Sequence, residues 1–98
     1  MRRIFATRDL EMRPYDLDGP LQPEMSYARL SYDPASERGS YLMRMSPGAA
    51  TIPHTHDARE EYLILEGEAI EDDGTVLGPG DWVVYEPGTR HRTRTITG

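Results

Sequence analysis

His54-Thr55-His56-Asp57-Ala58-Arg59-Glu60-Glu61-Tyr62-Leu63-Ile64-Leu65-Glu66-Gly67 is the stretch on which the fold turns. From Glu60 onward its residues alternate: Glu60, Tyr62 and Ile64 share one face, and Glu61, Leu63 and Leu65 share the other. That is the period of an extended strand. Just before the strand, two histidines stand one residue apart. Residues i and i+2 of an extended segment project to the same side, so the two imidazoles can meet one cation. Glu60 adds a third contact. Taken alone, the same pair also reads as a polar loop whose histidines hydrogen-bond to Asp57, Glu60 or Glu61.

Working outward, apolar residues recur with period two, and Gly or Pro interrupts them roughly every eight to twelve residues. The pattern predicts strands over 26–32, 40–45, 60–65, 68–71, 81–85 and 91–97. Between them lie turns at 33–39, 72–74, 77–80 and 86–88, and Asp73-Gly74 is a hairpin signal because both residues tolerate positive φ. Residues 1–25 hold a short strand at Ile4-Phe5-Ala6, followed by an irregular path enforced by Pro14, Asp18-Gly19-Pro20 and Pro23, with no helix. The whole chain, 1–98, reads as one all-β domain.

On the strand over 40–45, Tyr41, Met43 and Met45 share a face that points to the interior, either as core filling or as the lining of a ligand pocket. On the last strand, Thr93, Thr95 and Thr97 share the face of His91, opposite Arg92, Arg94 and Ile96. Tyr41, Met43, Tyr62 and Thr93 are thus the candidate substrate-pocket residues. Tyr85 is a further pocket candidate on a strand face, though aromatic rings in a small β-core are most often packing, and Trp82 reads the same way.

Composition narrows the chemistry. The chain has no Cys, Lys or Asn, and all eleven basic residues are Arg. Thiolate metal sites, disulfides, cysteine nucleophiles and Schiff-base lysines are excluded. A net charge of −6 argues against nucleic acid or an anionic membrane as partner. Residues 1–49 balance seven Arg with seven acids, whereas residues 50–98 set four Arg against ten, so a cation-attracting site belongs to the second half. Glu66, Glu68, Glu71, Asp72 and Asp73 read as a solvated face rather than a carboxylate pair for glycoside hydrolysis. No phosphate-cradling loop or nucleophile elbow occurs. No window approaches the roughly 18 apolar residues of a membrane span, and no signal-peptide core follows the start, so the expectation is a cytoplasmic protein.

With its surroundings the histidine pair resembles the first motif of the cupin superfamily, G-x5-H-x-H-x3,4-E-x6-G, with Gly48, His54, His56, Glu60 and Gly67 at the stated spacing. The second motif, G-x5-P-x-G-x2-H-x3-N, is matched at Gly80, Gly88 and His91, while Glu86 and Thr95 stand where the motif has Pro and Asn. The two motifs occupy 48–67 and 80–95. The sequence is most similar to the cupins typified by the anti-sigma factor ChrR and by acetylacetone-cleaving dioxygenases.

The resemblance implies a cupin-type double-stranded β-helix, a small jelly-roll barrel. It also implies one divalent metal ion held by His54, His56, Glu60 and His91. Zn, Fe(II) and Mn all suit three nitrogens and one oxygen, as do Ni and Co, so the ion's identity stays open. The function it implies is a small metal-dependent oxygenase acting on an oxygenated small molecule such as a diketone or phenolic acid. The alternatives are a non-catalytic metal or small-molecule sensing module and a purely structural barrel. A cupin normally has one more strand after the turn that follows His91 than this sequence supplies, so closure by the N-terminal strand or by a partner subunit is implied, and a homodimer is expected, strand exchange being one way to form it.

Overall fold

The computed structural model describes residues 1–17, 19–55 and 57–98, and for His54 the backbone alone. Among the described residues ten strands run in chain order: β1 Arg13–Tyr15, β2 Gln22–Asp33, β3 Arg38–Met45, β4 His54–Thr55, β5 Glu60–Leu63, β6 Ala69–Glu71, β7 Val76–Leu77, β8 Trp82–Tyr85, β9 Arg90–His91 and β10 Thr93–Arg94. The one helical piece among the described residues is a 3-10 turn at Thr7–Asp9. Ile4-Phe5-Ala6 is not a strand, contrary to the sequence expectation, and Ile4 and Phe5 are exposed. The chain divides into two compact units, Met1–Arg44 and Met45–Gly98.

In the first unit β1, β2 and β3 form one sheet in that order. Arg13 pairs with Tyr27 and Pro14 with Ser26, but Tyr15 pairs with Gln22, so the register shifts between Pro14 and Tyr15. The irregularity explains why β2 begins before Pro23, which the sequence reading placed outside a strand: prolines are tolerated at edges and bulges, where ladder hydrogen bonds are already missing. Tyr15, Met25, Tyr27 and Ala28 are buried. The rings of Tyr15, Tyr27 and Tyr41 gather with centroids 5.9–6.4 Å apart. Tyr41 nevertheless remains 43% exposed, so its row is only partly interior.

The β2–β3 turn is built by Asp33, whose carboxylate accepts from the Ser36 hydroxyl at 2.8 Å and the Ala35 N–H at 3.1 Å. Those bonds hold its carboxyl below the usual range. Gly39 follows because a Cβ there would stand 2.8 Å from the Ser31 carbonyl oxygen.

The second unit contains three short sheets: β10-β6-β7, β4-β9 and β5-β8. The Asp73-Gly74 hairpin forms as expected. Ile70 pairs with Val76, Gly74 takes φ +89°, and the Asp73 carboxylate accepts from the Thr75 N–H at 2.9 Å. The expected strand over 91–97 divides at Arg92, because β9 pairs with β4 whereas β10 pairs with β6. His91, Thr93 and Thr95 keep one buried face, but Thr97 is exposed and leaves it. Residues 49–51 run beside 93–95, with Thr51 N–H on the Thr93 carbonyl at 2.8 Å and Thr95 N–H on the Ala49 carbonyl at 3.0 Å.

The β5–β8 register pairs Glu60 with Tyr85 and Tyr62 with Val83 on one face, and Glu61 with Val84 and Leu63 with Trp82 on the other. Trp82 thus falls on the face opposite Tyr85 and is 62% exposed, against the expectation that it packs in the core.

Candidate metal centre

His91 stands at the centre of a polar cluster in the second unit. The turn before it, closed by Thr89 N–H on the Glu86 carbonyl at 3.2 Å with Gly88 at φ +86°, delivers the chain into β9. Glu86 makes this turn in the place where the motif carries proline. His91 is 4% exposed. Its Nε2 lies 3.6 Å from Glu60 Oε2, and its Nδ1 lies 3.5 Å from Glu71 Oε2. One flank of the ring is covered by Tyr85, stacked with centroids 4.0 Å apart and planes 14° apart.

Glu71 corrects the sequence reading. It was expected on a solvated acidic face, yet it is 6% exposed, and all three residues of β6 are buried. Its Oε1 accepts from the Tyr62 hydroxyl and from Thr93 Oγ1, the latter at 2.8 Å. A signal was present in the period of β6, which puts Glu71 on the same side as the small apolar Ala69. The neighbouring acids Asp72 and Asp73 masked it, and these two are exposed as expected.

Burial, followed by the adjacent Glu71 carboxylate, pushes the phenol of Tyr62 far above its ordinary range, and the same causes raise Tyr85. Both therefore act as neutral hydrogen-bond donors. A cavity of ≈ 290 Å³ opens beside them, lined among others by Leu77, Val83, Tyr85, Thr89, Arg90 and His91.

Of the four ligands implied by the resemblance, the structure brings Glu60 and His91 together. The register places His54 directly opposite His91 in the β4–β9 ladder, where cross-strand neighbours are closest. The His54 side chain and His56 lie outside the described residues. Without them, no three His, Asp or Glu side chains among the described residues form a metal-holding group. The Glu60–His91 separation of 3.6 Å is close to the roughly 3.4 Å between two ligands held about 2.1 Å from one ion at a tetrahedral angle. Of the candidate pocket residues, Tyr62 and Thr93 meet on Glu71, whereas Tyr41 and Met43 belong to β3 in the first unit.

Comparison with known proteins decides the family. The model of the ChrR cupin-like domain matches residues 13–97. The chain belongs to the ChrR cupin-like family. Solved cupin-fold structures bear out the architecture. KdgF from Halomonas sp. superposes with a TM-score of 0.78 at 16% identity over 99% of this chain and 84% of its own. The polyketide cyclase RemF from Streptomyces resistomycificus gives 0.80 at 23% over 100% and 72%. An RmlC-like cupin from Shewanella frigidimarina gives 0.77 at 22% over 100% and 84%. At these identities the likeness shows the fold alone, which is all-β and of the cupin jelly-roll class. No curated protein matches the chain. No helix among the described residues of this cupin is long and apolar enough to cross a membrane.

Proposed function

We propose that this cupin binds one divalent metal ion through His54, His56, Glu60 and His91 and acts as a small oxygenase-type enzyme on an oxygenated small molecule such as a diketone or phenolic acid. The observation that carries the reading is the approach of Glu60 Oε2 to His91 Nε2 at 3.6 Å, which joins the two sequence motifs in one place. An ion so held supplies Lewis acidity toward a chelating oxygen ligand and, where it is redox-active, a route to dioxygen.

The chain's own residues supply the rest. Tyr85 stacks on the His91 ring at the cavity, Tyr62 donates its phenol proton to Glu71, and Leu77 and Val83 give the cavity an apolar wall. Arg90 at the cavity offers a cation to an anionic group.

The match to the ChrR cupin-like domain, together with the motif resemblance to the anti-sigma factor ChrR, favours a second reading, a binding or sensing module without turnover. A homodimer is part of the proposal, and a sedimentation mass of one chain at micromolar concentration overturns that part.

The test is the metal content of untagged protein purified without added metal, beside His54→Ala and Glu60→Ala. About one equivalent in the parent, lost in both variants, supports the site. Oxygen consumption with diketones then supports the enzyme, whereas bound metal without turnover on any diketone or phenolic acid supports sensing. No metal on purification and none regained on titration overturns the reading.

A further inference from the structure

We infer that Glu71 is the positioning residue of His91: its carboxylate, fixed by the hydroxyls of Tyr62 and Thr93, accepts from the Nδ1–H and so keeps the proton on Nδ1, leaving Nε2 as the nitrogen that faces Glu60. The inference rests on the metal-centre reading proposed above and concerns a residue outside both sequence motifs.

The imidazole lies between two carboxylates, Glu60 at Nε2 and Glu71 at Nδ1, at nearly equal distances of 3.6 and 3.5 Å. Two features make the sides unequal. The Glu71 side chain, 7% exposed, is anchored through Oε1 by Tyr62 and Thr93, whereas that of Glu60 is 28% exposed, although the Oε2 atoms of both are buried. Thr93 Oγ1 also lies 3.5 Å from Nδ1, and its proton is already committed to Glu71 at 2.8 Å, so it presents a lone pair to the ring. Nδ1 therefore faces two fixed acceptors. A proton on Nδ1 satisfies both, while a lone pair there sets three acceptors against one another in a buried site.

Glu71 Oε2 is itself buried and has no hydrogen-bond partner among the described residues, and His91 Nδ1 stands 3.5 Å from it. At 3.5 Å the contact is looser than a full hydrogen bond. A carboxylate behind a metal-ligating histidine fixes its tautomer and raises its basicity.

Glu71→Gln tests this with almost no change of shape. The amide oxygen is claimed by the two hydroxyl donors, so the NH2 group turns toward Nδ1 and demands a lone pair there, which moves the proton to Nε2. Two readouts are taken on the full chain: Zn(II) affinity by competition titration, and the His91 tautomer from long-range 1H–15N spectra of the metal-free protein at pH 8. The expected results are Nδ1 protonated in the parent, Nε2 protonated in E71Q, and about 10- to 100-fold weaker Zn(II) binding in the variant.

Unchanged affinity with an unchanged tautomer overturns the inference and leaves the metal centre standing. A parent that binds no Zn(II) overturns the metal centre, and the tautomer comparison then still decides the role of Glu71. Should E71Q fail to fold, the parent spectrum alone decides: a proton on Nδ1 supports the inference, and Nε2 alone protonated overturns it.

Discussion

The rings of Tyr85 and His91 lie face to face, centroids 4.0 Å apart and planes inclined by 14°. They come from different sheets, since β8 pairs with β5 and β9 with β4, so the stack ties the two ladders together. Burial makes the contact count: His91 is 4% exposed, and a ring pair of this kind contributes about 0.5–1.5 kcal/mol beyond its area. Tyr85→Leu should therefore lower unfolding free energy in urea by about 1–3 kcal/mol, while Tyr85→Phe keeps the stack and costs less than half as much. Equal losses in the two variants would assign the stabilisation to the hydroxyl instead.

The raised phenols of Tyr62 and Tyr85 predict an alkaline signature. Both are pushed up by burial first and by Glu71 second, so the folded state favours the neutral phenol. That preference stabilises the fold at every pH below the ordinary tyrosine range and is lost as pH rises above about 10, where only the unfolded chain gives up these protons. Tyrosinate absorbance of the folded protein should show at least two fewer of the six tyrosines titrating normally than the urea-unfolded chain does. Six ordinary titrations would contradict the buried Tyr62–Glu71 contact.

Gly67 has a steric reason to be glycine. It takes φ +74°, and a Cβ on it would stand 2.0 Å from the Gly98 carbonyl oxygen. Gly67→Ala should destabilise by about 1–3 kcal/mol, through left-handed backbone strain and displacement of the 98 backbone. Chemical denaturation with an unchanged slope checks it, and a variant as stable as the parent would show that position 98 yields without cost.

Thr93 donates to Glu71 at 2.8 Å while its backbone N–H is bonded by Thr51 Oγ1 at 2.9 Å, both in buried surroundings. Thr93→Val keeps the shape and removes the hydroxyl, leaving the carboxylate one donor short. A loss of about 1.5–3 kcal/mol is expected, the range for hydrogen bonds to charged groups. Thr93→Ser should recover most of it. If the serine and valine variants are equally destabilised, the methyl group rather than the hydroxyl is what the site requires.

Period-two alternation and turn chemistry were enough to read an all-β chain: the β5 faces, the Asp73-Gly74 hairpin and the alternation of His91, Thr93 and Thr95 all follow from backbone geometry that neighbours in sequence dictate. Glycine spacing and the three histidines pointed to the family, because such motifs are local. Glu60 and His91 were legible as partners only through that resemblance. What sequence alone left undecided is which face meets other chain. Trp82 and Tyr41 read as core by residue type and are exposed, and Glu71 read as solvated by its acidic neighbours and is buried. Burial of a side chain depends on which strand crosses over it, and β10 reaches Glu71 from 22 residues away. Local sequence carries the period of a strand, while the environment of a carboxylate is set by long-range packing, and that environment makes Glu71 part of the site.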